Sequence, residues 1–174
     1  TIEKIKKVAN IIKKRQSEGN QIIVIVSAMS GDTNELEKKS NAISDNFDNQ
    51  ELDVLLSSGE QVSSSLLAGA IIELGIKARS WLGWQIPIIT NKNHTSSQIL
   101  KIKTDEISNF IKNGGVAVIA GFQGISADGR ITTLGRGGSD LSAVAIAKFF
   151  KTDSCEIYTD VEGVLTTDPS INKN

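Results

Sequence analysis

The chain has 174 residues, of which 39% are hydrophobic and 22% charged, with a formal net charge of −1. That length supports one well-buried core or a large piece of a bigger domain. Near-neutrality excludes a global field that gathers nucleic acid or anionic membrane, so any anion site must be local. The single cysteine, Cys155, excludes an internal disulfide and a cysteine-clustered zinc site, and no run reaches the roughly 18–20 apolar residues of a membrane span.

In chain order, Ile2, Ile5, Val8, Ala9 and Ile12 recur at helical spacing with lysines between them, up to the breaker Ser17-Glu18-Gly19-Asn20. This segment lacks a signal peptide's apolar stretch; beginning without Met, it reads as the middle of a helix and the chain as a fragment. The lysines form a solvated face. Gln21 to Ser27 is a β-branched run expected to be a strand covered on both faces. Val62, Leu66, Ala70 and Leu74, joined by Leu67 and Ile71, form a helical stripe ending at Gly75. Trp81 and Trp84 flank Gly83 and are expected to pack locally, and Ile86 to Thr90 is a short extended piece. Ile107, Phe110 and Ile111 mark a helix closed by Asn113-Gly114-Gly115. Val116 to Ala120 is a second buried strand. Ile131 to Leu134 is expected to be an exposed strand after the turn Ala127-Asp128-Gly129. An apolar helix, Leu141 to Phe150, leads to a third strand around Cys155 to Tyr158, with Cys155 a small core residue. Helices alternating with apolar strands predict a layered α/β fold with a mostly parallel sheet. The sequence contains no repeat, low-complexity segment or internal linker.

In such sheets ligands gather beyond the carboxyl ends of the strands. Ala28-Met29-Ser30-Gly31-Asp32-Thr33-Asn34, Gly121-Phe122-Gln123-Gly124 and Thr159-Asp160-Val161-Glu162-Gly163 each follow a predicted strand. Each alone reads as ordinary loop chemistry; together they outline a site. Gly135-Arg136-Gly137-Gly138-Ser139-Asp140 runs from a glycine-dense turn with one cation into an apolar helix. Such a helix start offers unpaired N–H groups and a partial positive charge to a phosphate or carboxylate, and Arg136 adds a planar fork of donors. The simpler reading is a strand-to-helix turn with Ser139 or Asp140 as N-cap. Ser57-Ser58-Gly59-Glu60 reads most simply as a solvated helix start, with Glu60 at the positive end; its functional reading is a carboxylate for the ammonium of an amino acid. His94 is a lone histidine in a polar loop with no partner at metal or triad spacing. No GxxxxGK[ST] is present, and no GxGxxG opens a helix after a strand.

Taken in order, VSAMSGDTN (Val26 to Asn34), SSGE (Ser57 to Glu60), AGFQG (Ala120 to Gly124), TTLGRGGSD (Thr132 to Asp140) and YTDVEGVLTTDP (Tyr158 to Pro169) resemble the catalytic domain of the aspartate kinases, within the amino acid kinase superfamily. Ile131 to Leu134 before the glycines separates the chain from relatives acting on acetylglutamate, glutamate or UMP. The resemblance implies a three-layer αβα sandwich around a mainly parallel sheet, the carbamate kinase-like fold. It also implies that residues 1–174 are part of one amino acid kinase domain, lacking the family's N-terminal strand with its Lys-Phe-Gly-Gly-Thr-Ser loop and its C-terminal part with ACT domains.

The implied activity is transfer of the γ-phosphoryl of ATP, with Mg²⁺, to the β-carboxylate of L-aspartate, giving 4-phospho-L-aspartate. This is the first step toward lysine, threonine, methionine and diaminopimelate. The setting implied is cytoplasmic, with no nucleic-acid or membrane partner and a homo-oligomeric full-length protein. By the resemblance, Ser27, Ala28 and Thr33 line the aspartate site, Glu60 holds the substrate ammonium and Phe122 covers the site. Arg136 pairs with a substrate carboxylate, Ser139 contacts it, and Asp140 organises the phosphoryl-transfer centre. Thr159 and Asp160 contact the nucleotide; Leu165 and Ser170 stand at nucleotide-side positions where the family commonly has Tyr and Arg. No residue is implied as a direct metal ligand. The alternatives are another amino acid kinase with a different carboxylate acceptor, or a catalytically inactive nucleotide- or amino-acid-binding regulatory module of the same fold.

Overall fold

The computed structural model describes residues 1–158. It opens with helix α1, Ile2–Ser17, capped by the Thr1 hydroxyl and seated through Ala9 and Ile12 while its lysines face solvent. Strand β1, Ile23–Val26, leads to helix α2, Asp32–Ile43, and then to helix α3, Asn49–Glu73. Strands β2 (Ala78–Trp81), β3 (Ile88–Thr90) and β4 (Ile99–Ile102) precede helix α4, Asp105–Lys112. Strands β5 (Val116–Ala120), β6 (Gln123–Ile125) and β7 (Ile131–Thr133) precede helix α5, Gly138–Phe150.

β5 organises the molecule. It is buried along its whole length and lies between β1 and β2, parallel to both. Because successive strand residues point to opposite faces, it feeds two cores. Val116 and Val118 pack with Ala9, Ile12, Leu67, Ala68 and Ile71 of α1 and α3. Ala117 and Ile119 pack with Trp81, Ile88, Ile107, Ile111 and Ile146, bringing in α4 and α5. The parallel sheet is therefore covered by helices on both faces, the αβα arrangement expected.

The expectation of one mostly parallel sheet needs refining. Among the described residues a second sheet runs β4-β3-β6-β7, with β3 and β6 parallel and the two outer pairs antiparallel. The β6–β7 connection turns through Gly129 (φ 80°), as predicted. β7, expected to be exposed, is buried at Thr132 and Thr133. Its hydroxyls have partners that remove the need for water: Thr132 Oγ1 lies 2.6 Å from Thr90 Oγ1, and Thr133 Oγ1 donates to Asp53.

Three other expectations are corrected. The Gln21 to Ser27 run forms only the four residues of β1; both faces are packed as expected, Ile23 and Ile25 on one core and Val24 and Val26 on the other, but each residue stays half-buried because β1 has one strand neighbour among the described residues. The apolar stripe on α3 is buried only in part: Leu67 and Ile71 are in the core and Ala70 and Leu74 pack against it. Val62 and Leu66 are exposed, whereas Leu67, Ala68 and Ile71 continue a buried face that includes Asp53, Ser57, Glu60 and Ser64. Residues 155–158 form no strand: nothing described pairs with their backbone, and Cys155 is exposed rather than in the core. That segment is tied instead by Glu156, which bonds Arg15 at 3.1 Å and accepts from Tyr158 at 2.8 Å. Trp81 is a buried residue of β2 with the Arg79 guanidinium 3.8 Å over its ring, whereas Trp84 is exposed.

Candidate active site

The parallel register sets Val26 beside Ala120, so β1 and β5 end level, and the Gly121 N–H donates to the Val26 carbonyl at 3.0 Å. The loops that follow open side by side onto a cleft of about 430 Å³. Its walls include Ser27 and Thr33 from the β1 side, Glu60 from α3, Phe122 from the β5 side, and Arg136, Ser139 and Asp140 at the start of α5. Ala28 borders this group through its backbone, donating to Glu60 Oε1 at 3.0 Å. Every predicted site residue within 1–158 is thus gathered in one region. Thr159, Asp160, Leu165 and Ser170 lie outside the described residues.

Glu60 is not at a helix start. α3 begins far upstream, where Asp48 accepts from the N–H groups of Gln50 and Glu51. Glu60 sits mid-helix and is only 4% exposed. Gly59 explains its reach: a Cβ there would lie 2.8 Å from the Ala28 Cβ, so the missing side chain lets α3 close on the loop after β1. The hydroxyls of Ser57, Ser58 and Ser64 donate to carbonyls three residues back, which satisfies them within the helix. Glu60 Oε2 is buried without a hydrogen-bond partner among the described residues. Burial pushes the Glu60 carboxyl up to about 7, against the opposing pull of the Ala28 N–H. A desolvated carboxylate facing a cleft with one oxygen unsatisfied favours a cationic ligand group.

The α5 start also differs from the simpler reading. Its N-cap is Gly137, in a left-handed conformation (φ 69°) that glycine adopts freely, with no capping side chain. Ser139 and Asp140 therefore lie in the first turn rather than capping it, and the amides there remain for a ligand. Arg136 is exposed and makes no ion pair among the described residues. Phe122 holds a strained backbone (φ 66°), and its N–H donates to Ser142 Oγ at 3.0 Å while that hydroxyl donates to the Gly138 carbonyl at 2.7 Å. Among the described residues the cleft walls thus offer one guanidinium, Arg136, against three carboxylates, Glu37, Glu60 and Asp140.

Sequence reasoning missed Glu37, Asp53, Thr95, Thr133 and Ser142. Asp53 is fully buried and accepts from His94 Nδ1 at 2.6 Å, from the Thr95 N–H at 3.0 Å and from Thr133 Oγ1 at 2.5 Å. His94 is therefore a paired residue, not a solitary loop histidine. The available signal was spacing: Asp53 stands seven residues before Glu60, two turns along the same helical face.

Known proteins resemble this chain along nearly its whole length. The chain is 50% identical over 171 residues to an aspartate kinase of Stutzerimonas stutzeri, covering 98% of this chain and 42% of that protein. The aspartate kinase structure from Synechocystis matches with a TM-score of 0.81 at 46% identity, covering 98% of this chain and 28% of that one. Aspartokinase III of E. coli, solved in complex with aspartate and ADP, shares the fold with a TM-score of 0.83 at 23% identity, over 99% of this chain and 49% of that one. The chain spans less than half the length of the curated relatives it matches. The sequence model of the amino acid kinase family matches residues 1–174, and this chain belongs to that family.

Proposed function

We propose that this chain is the acidic-substrate half of an aspartate kinase, acting in the full-length protein to move the γ-phosphoryl of ATP onto the β-carboxylate of L-aspartate. The observation that carries the reading is the pairing, in one cleft, of a buried carboxylate lacking a partner on one oxygen with an unpaired guanidinium. An α-amino dicarboxylate complements both: its ammonium meets Glu60 and a carboxylate meets the fork of Arg136. Ser27, Ala28 and Thr33 line this substrate end, Ser139 adds a hydroxyl beside Arg136, and Phe122 covers the site. The likeness to aspartate kinases at 46–50% identity supports the choice of acceptor.

Chemically, an ionised carboxylate oxygen attacks Pγ while the bond from Pγ to the β,γ-bridging oxygen breaks and ADP leaves. No general base is needed, because the acceptor is already ionised at pH 7. Two anions are brought together, so the chain's part is positioning and charge neutralisation. Arg136 and the free amides of α5 supply the positive side. Among the described residues no group of three or more His, Cys, Asp or Glu forms a metal cage. Mg²⁺ binds through one or two carboxylates plus substrate phosphates rather than through an all-protein cage. Of the cleft carboxylates, Asp140 at the start of α5 would hold the ion, which would neutralise phosphate charge when bound. Thr159 and Asp160 are assigned to the nucleotide by motif, with Leu165 and Ser170 in place of the family's common Tyr and Arg nearby. The expected setting is the cytoplasm, at the entry to lysine, threonine, methionine and diaminopimelate synthesis, in a homo-oligomer. No helix among the described residues is long and apolar enough to cross a membrane.

The test is ADP release by the full-length protein with MgATP and a panel of acids, the product trapped with hydroxylamine as the hydroxamate. Aspartate-dependent turnover with hydroxamate formation is expected. Turnover on a different acid overturns the choice of substrate, and ligand binding without turnover replaces the kinase with the regulatory module.

A further inference from the structure

Asp53 carries no charge into the cleft, yet it is a fully buried carboxylate in a position where an apolar residue would ordinarily be as stable. What it does is hold two walls of the cleft. Its two oxygens accept from the Thr95 N–H at 3.0 and 3.2 Å, and one of them takes the Thr133 hydroxyl. Thr95 is a β-branched residue at φ 65°, a conformation that persists only when its surroundings enforce it. The same loop is bound to β7 by Ser97, whose N–H and hydroxyl both donate to the Thr133 carbonyl at 2.8 and 2.9 Å. The Thr95 carbonyl lies 3.1 Å from where a Gly135 Cβ would stand, so the loop abuts the residue before Arg136. Thr95, Thr133, Gly135 and Arg136 all line the cleft. His94 completes the arrangement: its Nδ1 lies 2.6 Å from Asp53 and its side chain is largely buried, so it acts as a third donor to the carboxylate.

We infer that the Asp53–His94 pair is a positioning device, which fixes the strained Thr95 against Gly135 and thereby sets where the Arg136 guanidinium meets an acidic ligand. Neither residue touches the ligand. The kinetic consequence rests on the proposed acidic-substrate reading; the backbone consequence does not. Because α3 also carries Glu60, the helix relates the two ends of the cleft: Asp53 holds the anion-binding wall while Glu60 faces the cation-binding end.

The test uses Asp53→Asn, His94→Leu and His94→Asn in the full-length protein, with two readouts. Amide hydrogen exchange at Thr95 reports the backbone, and steady-state kinetics report KM for aspartate and for ATP together with kcat. In Asp53→Asn and His94→Leu, exchange at Thr95 is expected to speed up at least tenfold. KM for aspartate is expected to rise at least tenfold, with kcat and KM for ATP within threefold. His94→Asn restores an N–H donor near Nδ1 and is expected to bring both readouts back within threefold of wild type. Unchanged exchange at Thr95 overturns the inference, as does an equal change in both KM values. If Asp53→Asn fails to fold, His94→Leu and its rescue decide. A wild-type protein inactive on aspartate refutes the function instead, and the exchange at Thr95 then decides the positioning alone.

Discussion

Replacing Glu60 by Gln separates the cost of this carboxylate from its use. The amide preserves shape and an oxygen for the Ala28 N–H, but it cannot ionise. In the folded protein the Glu60 carboxyl titrates at about 7, above its ordinary value near 4.5, because burial disfavours the charged form. The sign follows from proton linkage. Below pH 4.5 the group is protonated in both folded and unfolded chains, and Glu and Gln behave alike. As pH rises toward 7 only the unfolded chain releases the proton, so stability is lost progressively; above 7 the loss is complete. A shift of this size corresponds to about 3 kcal/mol. Thermal unfolding of the full-length protein should therefore show Glu60→Gln level with wild type near pH 4.5 and more stable near pH 8. Ligands should reverse the order. Aspartate, whose ammonium pairs with the ionised carboxylate, should stabilise wild type increasingly from pH 6 to 8 and the variant little. Succinate, lacking the ammonium, should bind wild type less well over the same range. A stability difference independent of pH, or aspartate and succinate responding alike, refutes the assignment.

Arg136→Lys should weaken acidic-substrate binding by about 2–4 kcal/mol, because a point charge does not replace a bidentate fork. Its melting temperature should not move, since Arg136 is exposed and unpaired among the described residues; an aspartate KM within twofold of wild type sinks the clamp. Gly59→Ala gains about 1 kcal/mol of helix propensity but meets the Ala28 Cβ at 2.8 Å. A net loss of about 1–2 kcal/mol by urea unfolding is expected, and a gain refutes the close approach. Ser142→Ala leaves the Phe122 N–H unpaired and should destabilise by about 1–3 kcal/mol; an unaffected variant shows that Phe122 holds its conformation without that hydroxyl.

Legibility in the sequence followed the locality of each cause. β5 announces itself because five consecutive small or β-branched residues with both faces buried need no polar side. α1 and α4 announce themselves because lysines or acids fall between apolar positions. The turn before β7 is carried by Asp128-Gly129 alone. β7 misled because two adjacent threonines read as a wet strand; the hydroxyls are satisfied by Thr90 and Asp53, which lie 42 and 80 residues away in the chain. α3 misled for the same reason. Its buried face carries Asp53, Ser57, Glu60 and Ser64 beside the correctly expected Leu67 and Ile71, and because those polar groups look solvated, the pattern draws the exposed Val62 and Leu66 into the stripe instead. The strand expected at 155–158 failed for want of a partner, which no pattern within it encodes.

The sequence pointed to the residues that gather in the cleft, but not to the architecture that gathers them. Glycine-rich turns and a lone arginine name an anion site from composition, since few residues offer those donors. What distinguishes one acceptor from another within a shared fold is a different matter, because fold does not fix function. In the proposed reading the discriminating group is Glu60, a carboxylate held mid-helix where burial raises its pKa and so destabilises the free protein above neutral pH. A ligand bearing only phosphate or carboxylate groups leaves that charge unanswered, whereas one bearing an ammonium removes the penalty as it binds. If Glu60 binds the ammonium, selection for an amino acid arises as much from rejecting ligands without a cation as from contacts to the correct one. On that reading the oxygen of Glu60 left without a partner among the described residues is what would make such rejection possible, and filling it with a protein donor would stabilise the fold while erasing the discrimination.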